Sequence, residues 1–159
     1  YSTDAVHARI RCEALWDKLV SLSTSTWRTM IFAKHMLTLD KVVASLDEAA
    51  IRNVRIDGSS DAGGRQGLID EAARDAAVLV CSIGAASTGL NATHYHNMIF
   101  LECSWSGGDR LQCEARVHRM GQERRTTITY LLMKGTVDEK LWKSLRRKDR
   151  NITTLHHAR

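Results

Sequence analysis

The chain has 159 residues, of which 43% are hydrophobic and 26% are charged, and its net charge is +5. This length allows one domain with a sizeable core, and no apolar run approaches the roughly 20 residues that cross a bilayer, which argues against membrane insertion. The amino-terminal residues lack the basic start and apolar centre of a signal peptide, so we expect an intracellular protein that is not secreted.

The excess positive charge lies at the carboxy-terminal end. Residues 134–159 hold 8 of the 23 Lys/Arg and 3 of the 18 Asp/Glu, so the first 133 residues are balanced. We expect a basic helix and tail there that contacts DNA phosphates or an acidic protein partner, although a solvated helix face would have the same composition. The four cysteines form no Cys-x-x-Cys pair, which favours reduced thiols and predicts no metal site.

Hydrophobic periodicity predicts helices and strands in alternation. In chain order they are a leading helix within 1–23, a strand at 28–33, a helix at 39–50 capped by Thr38, a strand at 52–57, a helix at 61–74, a strand at 77–81, a strand at 98–102, a helix at 111–120, a strand at 126–133 and a helix after 136. A polar connector is predicted at 21–26, and the continuous apolar run at 77–81 predicts the centre of the sheet. The alternation predicts a doubly wound α/β domain with a parallel sheet and right-handed crossovers.

Three stretches follow strands and can therefore converge at the carboxyl edge of the sheet, where such folds bind ligands. The turn at 57–60 is rich in small hydrogen-bonding residues. In 82–91, small residues let backbone amides approach a ligand, and the hydroxyls of Ser87 and Thr88 can donate to phosphate. The third stretch is the helix at 111–120.

That helix would place Gln112, Arg116 and Arg119 at i, i+4 and i+7, on one face. Two arginines three residues apart repel each other unless an anion lies opposite. The face is therefore a candidate phosphate site, with an ordinary solvated basic face as the alternative.

The three stretches, 55–59, 82–91 and 112–122, together resemble the second RecA-like lobe of Swi/Snf-type superfamily 2 helicases, over about residues 24–150. The most specific is the motif VI pattern Q-x-x-x-R-x-H-R-I/M-G-Q. It is matched by Gln112, Arg116, His118, Arg119, Gly121 and Gln122. Shorter pieces at 32–35, 100–105 and 130–136 are similar to the annealing-helicase branch, which rewinds DNA at stalled forks. The family's usual acidic residue is replaced by Ala115.

The resemblance implies a RecA-like three-layer domain that fills residues 1–159, with a mostly parallel sheet of about five or six strands. It implies that Arg116 and Arg119 are arginine fingers, with Arg119 at the γ-phosphate of ATP. Gln112 would order the motif, and Gly89 and Asn91 would border the ribose. The implied contacts with the DNA backbone are Gly58, Ser59, Ser60, Ser87 and Thr88. The alternative for Ser59 and Ser60 is that they only cap the helix that follows.

The sequence contains no G-x-x-x-x-G-K-[ST] loop and no strand-terminal Asp-Glu pair, the features that hold nucleotide phosphates and Mg²⁺. In the family these belong to the first lobe. We therefore expect ATP with Mg²⁺ to be held mainly by a first RecA-like lobe, and the isolated chain to be inactive as an ATP hydrolase. Double-stranded or forked DNA is the implied substrate, and the nucleus the implied compartment.

Two alternatives keep the same α/β pattern. A stand-alone, non-catalytic RecA-like module would serve as a docking platform for nucleic acid or protein. An unrelated flavodoxin-like enzyme would leave the motif VI match unexplained.

Overall fold

The computed structural model describes residues 3–25, 28–75, 77–86, 90–102, 107–117 and 119–157. Its elements, in chain order, are α1 (Thr3–Ile10), α2 (Glu13–Ser25), β1 (Thr29–Ala33), α3 (Met36–Glu48), β2 (Asn53–Ile56), α4 (Arg65–Arg74), β3 (Val78–Ser82), α5 (Ile83–Ala86), β4 (Asn97–Phe100), α6 (Gly107–Val117), β5 (Thr127–Tyr130) and α7 (Val137–His157).

The five strands form one sheet in the order β2-β3-β1-β4-β5, and every neighbouring pair is parallel. This arrangement confirms the predicted α/β class and the parallel sheet. The central strand is β1, so the prediction that residues 77–81 form the centre of the sheet is wrong. A continuous apolar run indicates that a strand is buried on both faces of the sheet. Every residue of both β1 and β3 is buried, so burial alone does not show which of the two strands is central.

The strands alternate their side chains between two cores. In β1, Met30 and Phe32 face one core, whereas Ile31 and Ala33 face the other. The first core includes residues of α4, α5 and α6, and the second includes residues of α2 and α3. A smaller cluster packs Leu141 and Leu145 of α7 against partly buried residues that include Tyr130 of β5. Helices therefore cover both faces of the sheet, which gives the three layers.

The amino-terminal region differs from the predicted single helix. The chain breaks at Arg11 and Cys12 into α1 and α2, and α2 continues through the predicted connector to Ser25. The hydroxyls of Ser23 and Thr24 donate to the carbonyls of Leu19 and Val20 at 2.8 and 3.1 Å, so the polar residues are accommodated within the helix.

The predicted cap of α3 is also wrong. The helix begins at Met36, and Thr38 lies inside it with its hydroxyl donating to Glu102 Oε1 at 2.8 Å. At the start of α7, in contrast, Thr136 Oγ1 accepts the N–H of Asp138 at 3.2 Å, as a helix cap does. Among the described residues, none of the helices combines the length and apolar character needed to cross a membrane.

Candidate functional site

Helix α6 carries the first part of the motif. It buries Cys113 and Val117, both 0% exposed, against the sheet, while Gln112 is exposed and Arg116 is half-exposed. Burial raises the pKa of the Cys113 thiol to about 12, so this cysteine is a packing residue and not a nucleophile. The buried face of α6 thus fixes how the helix presents Arg116.

The helix ends earlier than predicted, at Val117, and Arg119 lies in the turn that follows. The helix predicted at 111–120 is therefore confirmed as far as Val117, but its predicted end is wrong, and Arg119 does not share a helix face with Gln112 and Arg116. Gly121, whose φ of 95° lies in the left-handed region that favours glycine, belongs to this turn. His118 lies outside the described residues.

Gln122 holds this turn in place. Its side-chain Nε2 donates to the carbonyls of Tyr95 at 2.7 Å and Thr93 at 3.1 Å, with Val117 O at 3.3 Å, and its Oε1 accepts the N–H of Arg124 at 3.0 Å. The last glutamine of the motif is therefore a structural anchor for the loop that carries Arg119. The sequence identified this residue only as part of a pattern, since its four partners come from three separate segments.

The site lies at the amino edge of the sheet. The carbonyl of Arg116 accepts the N–H of Ala92 at 3.2 Å, and Gln122 reaches Tyr95, so both contacts fall just before the start of β4. The 11 residues of α6 span about 16 Å at about 1.5 Å per residue, enough to return from the carboxyl end of β4 to its amino end.

The turn at Gly58–Ser60 follows β2 at the opposite, carboxyl edge. The prediction that all three stretches converge at that edge is therefore wrong. A crossover helix starts at one edge of a sheet and ends at the other, and the arginines lie at its end.

Asn91 is brought close to Arg116 through its neighbour Ala92. The Asn91 backbone N–H donates to Gln66 Oε1 at 3.0 Å, and Gln66 Nε2 donates back to the Asn91 carbonyl at 2.9 Å. This reciprocal pair fixes the backbone to α4 and leaves Asn91 exposed. Gly89, Ser87 and Thr88 lie outside the described residues.

The Gly58–Ser60 turn closes around Asp57. Ser59 donates its hydroxyl and its N–H to Asp57 Oδ1 at 2.6 and 2.9 Å, and Arg55 Nε donates to Asp57 Oδ2 at 2.6 Å. The bonds from Ser59 are the main cause of a lowered pKa at Asp57, with Arg55 adding to it. Helix α4 begins at Arg65 after Gly64, so neither serine caps it.

Ser59 and Ser60 differ in whether the hydroxyl proton is already used in a hydrogen bond within the turn. The single hydroxyl proton of Ser59 is engaged by Asp57, whereas Ser60 Oγ accepts the N–H of Asp57 at 3.1 Å. Within the described part of the chain, no hydrogen bond uses the proton of the Ser60 hydroxyl. Ser60 can therefore donate to an external acceptor without breaking the turn.

A buried carboxylate, which the sequence reasoning missed, organises the carboxyl edge. Glu102, two residues after the end of β4, accepts the N–H groups of Lys34 and His35 at 2.7 and 2.9 Å, and also the hydroxyl of Thr38. Burial would raise the pKa of Glu102, but these hydrogen bonds outweigh it and lower the pKa below its ordinary value. Glu102 is thus the anion at the amino terminus of α3.

The same carboxylate belongs to a buried ion-pair network. Arg9 donates to Glu102 Oε1 at 3.0 Å and also binds Asp138, which accepts the N–H of Met133 at 3.0 Å. Arg9, Glu102 and Asp138 are each at most 2% exposed. The network joins α1, the end of β4 and the start of α7. An acidic residue that ends an apolar strand was the only sequence signal for it.

Arg119 is exposed and borders a cavity of about 420 Å³, together with Met120, Gln122, Arg124, Arg125 and Thr126. Among the described residues, no carboxylate lies within 4.0 Å of its guanidinium. A cation without a local counterion, on a loop held by Gln122, is suited to bind an anion from outside the chain.

Comparisons with known proteins show which family the chain belongs to. Residues 11–121 match the helicase conserved C-terminal domain. The chain is 35% identical over 129 residues to the SWI/SNF-related matrix-associated actin-dependent regulator of chromatin subfamily A-like protein 1 of Xenopus laevis. The aligned region covers 80% of this chain and 13% of that protein. It is 34% identical over 129 residues to the DNA annealing helicase and endonuclease ZRANB3 of Mus musculus, covering 80% and 12%.

Among solved structures, the C-terminal part of the Fun30 ATPase domain superposes with a TM-score of 0.75 at 28% identity, covering 82% of this chain and 43% of that one. The chain therefore belongs to the helicase C-terminal domain family and is a RecA-like lobe of the Swi/Snf type. This result confirms the resemblance inferred from the motifs. The chain spans 12 to 14% of the length of the vertebrate relatives it matches.

Proposed function

We propose that the chain is the second motor lobe of an ATP-dependent DNA translocase with annealing activity. In this proposal a first RecA-like lobe binds ATP with Mg²⁺, and Arg119 reaches the γ-phosphate as an arginine finger while Arg116 supports it. The proposal rests on one observation above all: Arg119 is exposed, lies on a loop that Gln122 anchors, and has no carboxylate within 4.0 Å among the residues that the structure describes.

An arginine is suited to this role because its planar guanidinium stays charged and can bind two phosphate oxygens at once. Charge develops on the transferred phosphoryl group in the transition state, and a preorganised cation there stabilises it more than the ground state. Anchoring by Gln122 supplies the preorganisation. Gln112 would then order the motif, and Asn91 and Gly89 would border the ribose of the same nucleotide.

DNA would bind at the opposite edge of the sheet, where the turn after β2 lies. Gly58 offers close approach to a phosphate, and the Ser60 hydroxyl has a proton to donate, while Ser59 would contribute through its backbone. Ser87 and Thr88, which follow β3, would extend this contact. Separation of the two sites by the sheet would let ATP chemistry and DNA binding be altered independently. Relatives named for chromatin regulation and DNA annealing support a nuclear role.

The test is Arg119→Ala in a protein that carries both lobes. The expected result is a fall of about 10³-fold or more in DNA-stimulated ATP hydrolysis, with DNA affinity nearly unchanged. Arg125→Ala is the matched control, because Arg125 is an exposed arginine beside the same cavity. Parental hydrolysis by Arg119→Ala would contradict the finger role.

A second candidate, a docking platform for nucleic acid, is favoured by α7. Its exposed cations Lys140, Lys143 and Arg147 lie at i, i+3 and i+7, on one helix face. If this face binds DNA, replacing the three by glutamine lowers the slope of log affinity against log salt by about 0.9 per lost phosphate contact. An unchanged slope would exclude that role for α7.

A further inference from the structure

A group of cations near the start of β1 is not accounted for by the proposed ATP and DNA sites. Arg28 precedes β1 and has a φ of 64°, a left-handed conformation that an arginine rarely adopts. Its carbonyl accepts the N–H groups of His96 and Asn97 at 3.3 and 3.4 Å. These two hydrogen bonds therefore hold the Arg28 backbone in place. The left-handed conformation sets the direction of its Cα–Cβ bond.

Arg28 and His94 are shared by two adjoining cavities. One, of about 480 Å³, is lined by Arg28, Gly67, Asp70, Ala73, Arg74 and His94. The other, of about 380 Å³, is lined by Arg28, Thr93, His94, Gly121, Gln122, Glu123 and Arg124. Each cavity has two arginines and a histidine against one carboxylate, so the space around Arg28 is positive on balance.

Arg28 and Arg124 both act on His96, which lies next to Arg28 across the sheet edge. Burial is the main cause of a lowered pKa at His96, and the positive charges of Arg124 and Arg28 add to it. The His96 Nδ1 atom is buried and has no hydrogen-bond partner among the described residues. Within the same part of the chain, no carboxylate lies within 4.0 Å of either guanidinium.

We infer that Arg28 and Arg124 form a phosphate-binding site at the amino edge of the sheet, bordered by Arg74 and His94. Glu123 lines the same cavity, but it forms no ion pair within 4.0 Å with either guanidinium among the described residues. Two guanidiniums on one cavity repel each other, and a phosphate between them offers oxygens to both planar forks. The 380 Å³ cavity shares Gln122 and Arg124 with the cavity that Arg119 borders. The site is therefore adjacent to the proposed finger and uses different arginines.

The phosphate could be free inorganic phosphate, such as that released by hydrolysis, or a phosphate of a nucleic acid backbone. The guanidinium chemistry is the same in both cases. The inference goes beyond the proposed function and does not depend on it, because Arg28 and Arg124 have no part in the finger or in the DNA turn.

The experiment uses the full chain and titrates inorganic phosphate at constant ionic strength, with arginine Nε–H and His96 signals followed by NMR. A second titration uses a short DNA duplex. The variant is Arg28→Gly with Arg124→Gln, since glycine adopts the positive φ without strain and the fold should be kept. Arg11→Gln with Arg52→Gln removes the same charge from two exposed arginines elsewhere.

The expected result is saturable binding that the Arg28/Arg124 variant weakens by at least about tenfold, as expected for lost charge-assisted hydrogen bonds, with the control near the parent. Loss of inorganic phosphate binding would identify free phosphate as the ligand, and loss of duplex binding alone would identify a nucleic acid phosphate. If the variant binds both as the parent does, or if neither ligand binds saturably, the inference is overturned.

Discussion

Replacing Gln122 by alanine should release the loop that carries Arg119. The substitution removes donors to the Tyr95 and Thr93 carbonyls and the acceptor of the Arg124 N–H. Three neutral hydrogen bonds contribute about 1 kcal/mol each, and partial exposure of Gln122 lets water replace some of them. The expected loss is therefore about 2 kcal/mol in the free energy of unfolding.

Urea denaturation measures this loss. With a slope of about 2 kcal/mol per molar urea for a domain of this size, the midpoint should fall by about 1 M at an unchanged slope. Hydrogen exchange at the Arg124 amide should also accelerate, because its acceptor is gone.

Gln112→Ala is the matched control, since Gln112 is an exposed glutamine within helix α6 of the same motif. Its effect should stay within about 0.5 kcal/mol, as for most surface substitutions. Equal midpoints for Gln122→Ala and Gln112→Ala would refute the anchoring role of Gln122.

Two further substitutions test the backbone and the buried network. Gly121→Ala should destabilise the fold by about 1–2 kcal/mol because the φ of Gly121 is 95°, although no atom lies within 4 Å of the added Cβ. Gly67→Ala, inside α4, should instead stabilise the fold by about 0.5–1 kcal/mol. Thermal unfolding of both variants measures this difference. Glu102→Gln should destabilise by about 3 kcal/mol at neutral pH, because it removes one charge of a buried ion-pair network. Because the pKa of Glu102 is lowered in the folded state, its contribution to the free energy of unfolding is full above the ordinary value of 4.5 and is lost as the pH falls through the lower folded value. The urea midpoints of parent and variant should therefore converge in acid. A difference that stays constant with pH would contradict this.

The fold was largely predictable because its signals are local. Hydrophobic patterning predicted all five strands to within a few residues, and their alternation with helices implied the parallel sheet. The order of the strands was not predictable in the same way. Both β1 and β3 are buried throughout, and only long-range pairing places β1 between β3 and β4.

The candidate site was predicted as a set of residues but not as an arrangement. The spacing of Gln112, Arg116 and Arg119 suggested one helical face, but the helix ends at Val117, and Arg119 lies in a turn that the side chain of Gln122 holds in place. The roles of Arg9 and Glu102 depend on contacts between residues 93 positions apart, which no local pattern records.

The most direct test of the finger role is the affinity of the two-lobe protein for a transition-state analogue, such as ADP with Mg²⁺ and aluminium fluoride. A residue that acts on the transferred phosphoryl group stabilises the transition state more than bound ATP. We predict that Arg119→Ala weakens analogue binding by about 10³-fold while ATP affinity changes less than about tenfold. Equal losses for the analogue and for ATP would contradict the account, because Arg119 would then contribute only to ground-state binding.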